Sequence, residues 1–398
     1  MTTIHPVAGV RIGIASAGIK KVGRKDVVVF ELTEGTCTVG VFTRNAFCAA
    51  PVIVAKENLA RTQPKYLLVN TGNANAGTGS PGIQATQATL ACLAEATGCT
   101  PDQILPFSTG VIGEPLPVAK IEAALPAVLA DLSADHWLLA AEGIMTTDTR
   151  PKVVSRQVEF GGESFVITGV TKGAGMIRPN MATMLSYVAT DLAVDTALLQ
   201  QALVRAVEQS YHRITVDGDT STNDACTLSA TAQSTLPRIA SDNELYQVFC
   251  TALDDVLLEL AQMMVRDGEG ATKFFQIEVS GGKTEQECLD VAFTIAESPL
   301  VKTALFASDP NWGRLLAAIG RAGVQDLVID DVTLHLNDVL IAEQGRRADS
   351  YTEEQGVAAM APTDIVLRVS LNRGAAQTTV YTTDFSYDYV RINAEYRT

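Results

Sequence analysis

The chain has no excess of basic residues. Its 398 residues hold 30 Lys plus Arg against 45 Asp plus Glu, a formal net charge of −15. A nucleic-acid partner needs a basic surface to displace phosphate counterions, so this balance argues against that class. A small anionic substrate stays open, because it needs only a few local cations. No apolar run approaches the roughly 20 residues that cross a bilayer, so no membrane partner is expected. Seven cysteines (Cys37, Cys48, Cys92, Cys99, Cys226, Cys250, Cys288) are scattered, odd in number and never in a C-x-x-C pair. That argues against a disulfide framework or a zinc site and points to a reducing cytoplasm. There are only four histidines, His5, His136, His212 and His335. None lies in a polar, glycine-rich stretch, which argues against a Ser-His-Asp triad or a histidine-rich metal site.

Hydrophobic residues make up 47% and charged residues 19%, the balance of a packed enzyme. At roughly 150 residues per domain the length suggests two to three units. Met1 to Lys25 carries five cations and no acid, as an organelle leader does, but Gly9, Gly13, Gly18 and Gly23 interrupt it. It is expected to form the first strands and turns of the fold. Strands are predicted at Val27–Leu32, Thr38–Phe42 and Tyr66–Val69. Val153–Phe160 and Ser164–Val170 read as a hairpin turned by Gly161-Gly162. Helices are predicted at Gly82–Thr97, Val194–Tyr211, Asn243–Val265 and Glu285–Ala296. Val118 to Ala141 reads as helical but broken at Pro126. From Val324 onward the pattern reads as β: Leu327–Ile329, Thr333–Leu336, Asp364–Leu371, Thr378–Thr382 and Tyr389–Ile392. Helices alternating with strands imply an α/β fold layered around sheets.

Familiar motifs fail on inspection. Gly173 to Arg178 lacks the third glycine of a dinucleotide loop, and Pro179 interrupts the helix that should follow. Asp217 to Thr222 begins like a calcium loop but has Thr222 at the sharp turn and Leu228 at the bidentate position. Gly268 to Lys273 is too compressed for a P-loop. Five segments remain that are polar, rich in small residues and flanked by apolar structure: 70–79 (NTGNANAGTG), 107–114 (FSTGVIGE), 145–152 (MTTDTRPK), 172–186 (KGAGMIRPNMATMLS) and 267–273 (DGEGATK). Glycine-rich turns of this kind expose backbone N–H groups to a ligand.

In the fourth segment Pro179-Asn180 sets a turn, small Ala182 precedes Thr183, and an apolar run follows. A threonine so placed can attack the preceding carbonyl, and hydrolysis of the resulting ester leaves Thr183 with a free α-amine. Such an amine has an unperturbed pKa of about 7.7–8.0. It can take the proton of its own hydroxyl near neutral pH, supplying the base that the missing histidine does not. The other reading of the segment is a turn into a core strand.

The run from Lys172 to Ser186 closely resembles the autocleavage segment of the glutamate N-acetyltransferase / ornithine acetyltransferase family of arginine biosynthesis. Further blocks resemble the same family in the same order: 70–79, 108–114, 144–152, 216–224 (VDGDTSTND), 267–273, 298–314 (SPLVKTALFASDPNWGR) and 391–398 (RINAEYRT). The likeness extends from about Gly9 to the last residue. It implies a precursor cut between Ala182 and Thr183 into chains Met1–Ala182 and Thr183–Thr398, assembled as an α2β2 heterotetramer. It implies a layered sandwich of helices and mixed sheets like other N-terminal-nucleophile enzymes, with its own topology. The implied reaction is acetyl transfer from N2-acetylornithine to glutamate. Some members also accept acetyl-CoA, which makes it a candidate co-substrate. No metal or redox cofactor is implied. Thr183 matches the nucleophile, and Thr109 with Gly110 matches the oxyanion-hole pair. Lys172, Glu269, Asn393 and Thr398 match substrate contacts. One of Thr146 and Thr147 is expected to touch substrate, with Thr147 favoured. Two rivals remain at this stage, an autoprocessed aminopeptidase or amidohydrolase and a non-catalytic amino-acid-binding protein.

Overall fold

Alternating apolar residues decide how the first half of the chain folds. Successive strand side chains point to opposite faces. Val28 and Phe30 accordingly join one buried cluster, while Val27 and Val29 join another. The computed structural model describes residues 3–178 and 184–395. The chain forms two compact units. The first comprises Met1–Gly173, Arg178–His212 and Thr220–Met264; the second comprises Ala174–Ile177, Arg213–Asp219 and Val265–Thr398.

The first unit contains β1 (Val10–Ala15), β2 (Val27–Leu32), β3 (Cys37–Phe42), α1 (Ala50–Arg61), β4 (Tyr66–Asn73), α2 (Gly79–Thr97), β5 (Ile104–Val111), α3 (Val118–Ala130) and α4 (Trp137–Gly143). It continues with β6 (Lys152–Phe160), β7 (Glu163–Lys172), β8 (Leu185–Thr190), α5 (Thr196–Gln209), β9 (Ala225–Ala230) and the body of α6 (Glu244–Arg266). Two sheets result, in the orders β1-β2-β4-β5 and β3-β9-β8-β7-β6. They share a core in which Phe30 and Phe107 pack on Tyr187 and Trp137 meets Phe30 edge-on, among neighbouring aliphatics. Full burial of each large apolar side chain contributes roughly 1.5–3 kcal/mol. The opposite face of the four-stranded sheet is covered by Leu90 and Leu93 of α2 and by Ile121, Leu125 and Val128 of α3. On the five-stranded sheet, α5 packs against β3 and β9. Gly169 of β7 admits Leu260 of α6 so closely that a Cβ there would sit 3.0 Å from its methyl. The unit is thus a pair of sheets with helices on the outer faces.

The second unit contains β10 (Phe274–Gly282), α7 (Glu285–Ala296), α8 (Pro299–Phe306), α9 (Trp312–Gly320), β11 (Thr333–Leu336), β12 (Val339–Glu343), β13 (Arg346–Arg347), α10 (Glu353–Met360), β14 (Asp364–Ser370), β15 (Ala376–Thr383) and α11 (Tyr387–Ala394). Its six-stranded sheet runs β13-β12-β11-β14-β10-β15. Phe275, Ile277 and Val279 of β10 bury against Val291, Ala292 and Ile295 of α7. Side-chain caps start these helices where the sequence changes character. Thr284, Ser298 and Asn311 accept the first free N–H groups of α7, α8 and α9, and Thr352 forms a capping box with Gln355 at α10.

The α/β expectation holds, with three local corrections. Pro126 lies inside α3 and does not end it. The break falls at 131–136, where the Asp131 carboxylate accepts the Ile14 N–H at 3.0 Å and Ser133 pairs with Ile12. Leu327–Ile329 forms no strand and leads into a 3-10 turn at Ile329–Asp331. Tyr389–Ile392, whose aromatic and β-branched residues suit a strand, lies in α11, because Ser386 caps a helix by accepting the Tyr389 N–H.

Candidate active site

In the first unit, β4 and β5 run parallel and bring the segments 70–79 and 107–114 side by side. Thr71 pairs with Thr109 and Gly72 with Gly110, and the register then shifts at Asn73. Gly110 has φ +136°, and a Cβ on it would come 2.3 Å from the Gly72 carbonyl carbon. Only glycine fits this approach. An amide network fixes the strand ends. Ser108 Oγ donates to Asn70 Oδ1 at 2.6 Å, and Asn70 Nδ2 donates to Asn73 O at 2.9 Å. Asn223 Nδ2 donates to Ala74 O at 2.6 Å and to Ser108 O at 2.9 Å. The Thr109-Gly110 pair is therefore held on a buried, glycine-dependent bend.

A second group in the same unit is organised by a residue that sequence reasoning did not single out. Asp148 is buried, and its Oδ1 accepts from Lys152 Nζ at 2.6 Å and from the Gly173 N–H at 2.7 Å. Its Oδ2 accepts from the Thr146 N–H at 2.9 Å. Burial alone would push this carboxyl up, but the Lys152 and Lys172 ammonium groups and these hydrogen bonds bring it down to about 2. Lys172 Nζ donates to Thr146 Oγ1 at 3.3 Å. Arg24 donates to the carbonyls of Met145 and Thr146. Lys172 and Thr146 are thus brought together. Thr147 is half-buried beside them, and the hydroxyl that meets the lysine belongs to Thr146.

β8 begins between these features. Lys172 pairs with Leu185 on one side, and Ala225 of β9 pairs with Leu185 on the other. The Ala225 N–H donates to Met184 O at 2.9 Å. Asp224 precedes Ala225 and is buried, and its Oδ2 has no hydrogen-bond partner among the described residues. Burial holds its carboxyl well above the usual range, against the pull of Ser221, the Lys172 charge and the Met184 N–H.

In the second unit, Asn393 Nδ2 donates to Glu269 Oε2 at 2.8 Å and to Tyr389 O at 3.0 Å. Glu269 is buried, and its N–H donates to Ala174 O at 2.9 Å. Gly175 packs against this carboxylate so tightly that a Cβ would lie 2.5 Å from it. The Asp384 carboxylate accepts the Thr272 and Lys273 N–H groups at 2.8 and 3.0 Å, which pins the 267–273 turn to the end of β15. Lys302, fully buried, donates to Thr382 Oγ1 at 2.8 Å and to Thr383 O. Burial brings its ammonium down to about 7 despite the opposing charges of Asp384, Asp217 and Glu297.

Ala182, Thr183 and Thr398 lie outside the described residues. Among the described residues no group of three or more His, Cys, Asp or Glu is arranged to hold a metal ion. Asp148, Asp224 and Lys302 were missed as individuals, although each stands in a segment already marked by its composition or resemblance. Nothing in a linear sequence says which acid of such a segment is buried or what it faces.

Comparison with known proteins agrees with this frame. The sequence model of the ArgJ family matches residues 11–398. The chain is 58% identical to the arginine biosynthesis bifunctional protein ArgJ of Pseudomonas fluorescens, across 100% of this chain and 98% of that protein. It is 55% identical to the ArgJ protein of Methylococcus capsulatus, across 99% and 96%. A crystal structure of the ArgJ protein from Bacillus halodurans superposes with a TM-score of 0.51 at 36% identity, covering 53% of this chain and 99% of that one. Among the described residues no helix is long and apolar enough to cross a membrane. The chain belongs to the ArgJ family of arginine-biosynthesis enzymes.

Proposed function

We propose that this enzyme transfers an acetyl group from N2-acetylornithine to glutamate through an acetyl ester on Thr183. Thr183 first becomes an N-terminus by cutting its own chain after Ala182, giving chains 1–182 and 183–398 that assemble as an α2β2 heterotetramer. In the first half-reaction the Thr183 amine takes the hydroxyl proton and the oxygen attacks the acetyl carbonyl. Ornithine leaves with that proton. In the second, the glutamate amine attacks the same carbonyl and Thr183 is regenerated. Donors at Thr109 and Gly110 would face the developing oxyanion, each lowering the barrier by roughly 3–4 kcal/mol. Both amino acids present an α-carboxylate, which suits the Lys172 ammonium. Glu269 offers a carboxylate suited to an amino group, with Asn393 as its hydrogen-bond partner. Thr398 and Thr147 complete the proposed substrate contacts. No metal or redox cofactor enters any step.

The observation that carries this reading is the strand register in the first unit. The chain that starts after Thr183 enters a sheet directly opposite Lys172, whose ammonium meets Thr146. The half-length solved chain from Bacillus halodurans supports processing, since nearly all of it aligns within about half of this chain. The "bifunctional" label of the relatives supports acetyl-CoA as a second acetyl donor to glutamate. The cytoplasm is the proposed compartment.

Product partition tests the proposal. The purified protein is incubated with N2-acetylornithine, with and without glutamate. Ornithine release is expected to rise with glutamate, with N-acetylglutamate formed in equal amount. Fast release that ignores glutamate would mean water is the acceptor and the enzyme is an amidohydrolase.

A further inference from the structure

A lysine ammonium is costly to bury, and an apolar side chain of similar length fills the same space without that cost. Lys302, in α8, is fully buried. What its ammonium holds is therefore informative. It donates to Thr382 Oγ1 at 2.8 Å and to Thr383 O, and it stands 4.7 Å from the centre of the Phe385 ring. The Lys302 carbonyl accepts the Phe385 N–H at 3.2 Å. These contacts all fall on one short stretch, 382–385, where β15 ends and the chain turns into α11.

That stretch in turn holds the 267–273 segment of the same unit. Thr383 Oγ1 donates to Lys273 O at 2.7 Å. The Asp384 carboxylate accepts the Thr272 hydroxyl at 2.5 Å, besides the Thr272 and Lys273 N–H groups. Ser386, which caps α11, donates its hydroxyl to Gly270 O at 2.6 Å. Gly270 has φ +69°, and a Cβ on it would lie 2.5 Å from the Tyr389 nitrogen. Turn and helix therefore meet backbone to backbone, an approach only glycine permits. Glu269 lies inside this turn, and Asn393, which donates to its carboxylate, lies in α11. Both members of the Glu269–Asn393 pair thus hang from the stretch that Lys302 anchors.

We propose that Lys302 is a positioning residue for substrate binding: by anchoring 382–386, its buried ammonium fixes where the Glu269 carboxylate meets the amino group of an amino-acid substrate. This rests on the reading of Glu269 as a substrate contact given above. Lys302 acts through Thr383, Asp384 and the turn rather than by touching substrate. An apolar replacement keeps the core filled but lets this stretch shift, and the Glu269 carboxylate shifts with it. A contact between a carboxylate and an amino group loses strength quickly when either is misplaced.

The test is a double-mutant cycle on the purified enzyme, with Lys302→Met and Glu269→Gln alone and together. The readout is KM for N2-acetylornithine, which carries one free amino group. Lys302→Met is expected to raise that KM by about tenfold, with kcat changed by no more than about twofold. Glu269→Gln raises KM by itself, and adding Lys302→Met to it is expected to change KM by less than about twofold, because the contact that Lys302 positions is already gone. A KM that Lys302→Met leaves unmoved, or raises equally in both backgrounds, overturns the proposal and makes Lys302 a folding residue only. If Lys302→Met does not accumulate as folded protein, Thr382→Val takes one acceptor from the ammonium and replaces it in the same cycle. Its expected rise in KM is about threefold, and the same two results overturn the proposal. The Glu269 reading fails separately: Glu269→Gln alone then leaves KM unmoved.

Discussion

Asp148 and Asp224 belong to the same unit, are both buried, and are held at opposite ends of the carboxylate range. Asp148 is drawn down to about 2, whereas burial wins at Asp224 and keeps it well above the ordinary value. Both feel burial as the leading influence, so burial does not separate them. The separation comes from what is bonded to each. Asp148 receives an ammonium and two backbone N–H groups. Asp224 leaves one oxygen bare among the described residues. The first is a completed structural anion that organises Thr146, Gly173 and Lys172. The second is a buried carboxyl that stands just before β9, beside the start of β8.

The largest effect should come from breaking the completed pair. Asp148→Asn takes from the buried Lys152 ammonium the carboxylate 2.6 Å away, and chemical denaturation should show a loss of about 3–5 kcal/mol. The double variant Asp148→Asn, Lys152→Met should recover most of that stability. Its KM for both amino-acid substrates should stay raised, since Thr146 and Lys172 have lost their organiser. Full recovery of KM would make Asp148 a folding residue only.

The acid side gives a second test of the same contrast. Asp148 has a folded pKa of about 2, below the ordinary aspartate value of 3.8, so its stabilisation is present above pH 4 and is lost as pH falls toward 2. That loss should amount to about 2 kcal/mol. The double variant should lack this component of acid unfolding when the two melting curves are compared across that range.

Lys302 extends the comparison to a cation in the second unit. Its folded pKa is about 7 against the ordinary lysine value of 10.5, so between those values the unfolded chain binds more protons than the folded one. Stability contributed by this group therefore rises with pH from about 7 to 10, by up to roughly 1.4 kcal/mol per pH unit. Lys302→Met should flatten that slope. An identical slope in both proteins would show that Lys302 is solvated as an ordinary lysine.

The smallest expected effect is at Thr146. Removing its hydroxyl with Thr146→Val takes one acceptor from Lys172, a change of about 0.5–1.5 kcal/mol. KM should rise by roughly threefold to tenfold with little change in kcat. The same change at Thr147 measures how the two threonines divide the work, and a larger KM effect there would place the substrate contact on Thr147.

Much of the frame was legible before any coordinates. The hairpin of β6 and β7 stood out because Gly161-Gly162 separates two alternating runs. α5 and α7 stood out because apolar residues recur at helical spacing between clear stops. Two failures have physical causes. Tyr389-Val390-Arg391-Ile392 is rich in the aromatic and β-branched residues that favour strands, yet no residue of α11 is buried and the Ser386 cap decides its form. Pro126 is tolerated within α3, where its ring and missing N–H do not end the helix. For the site, composition marked candidate segments and resemblance assigned Lys172, Glu269 and Asn393. The structure then tied Lys172 to Thr146 and Glu269 to Asn393. What remained hidden was pairing across distance. Asp148 reaches Gly173 from 25 positions away, and Asp224 shares a register position with Met184, 40 positions back.

The central claim is that Thr183 carries acetyl between two amino acids. The direct measurement is the intact mass of both chains after incubation with N2-acetylornithine and no acceptor, followed by glutamate. The account predicts two fragments, with the one beginning at Thr183 heavier by a single acetyl group that glutamate removes. An uncut chain, or ornithine released with no acetyl on that fragment, would contradict it.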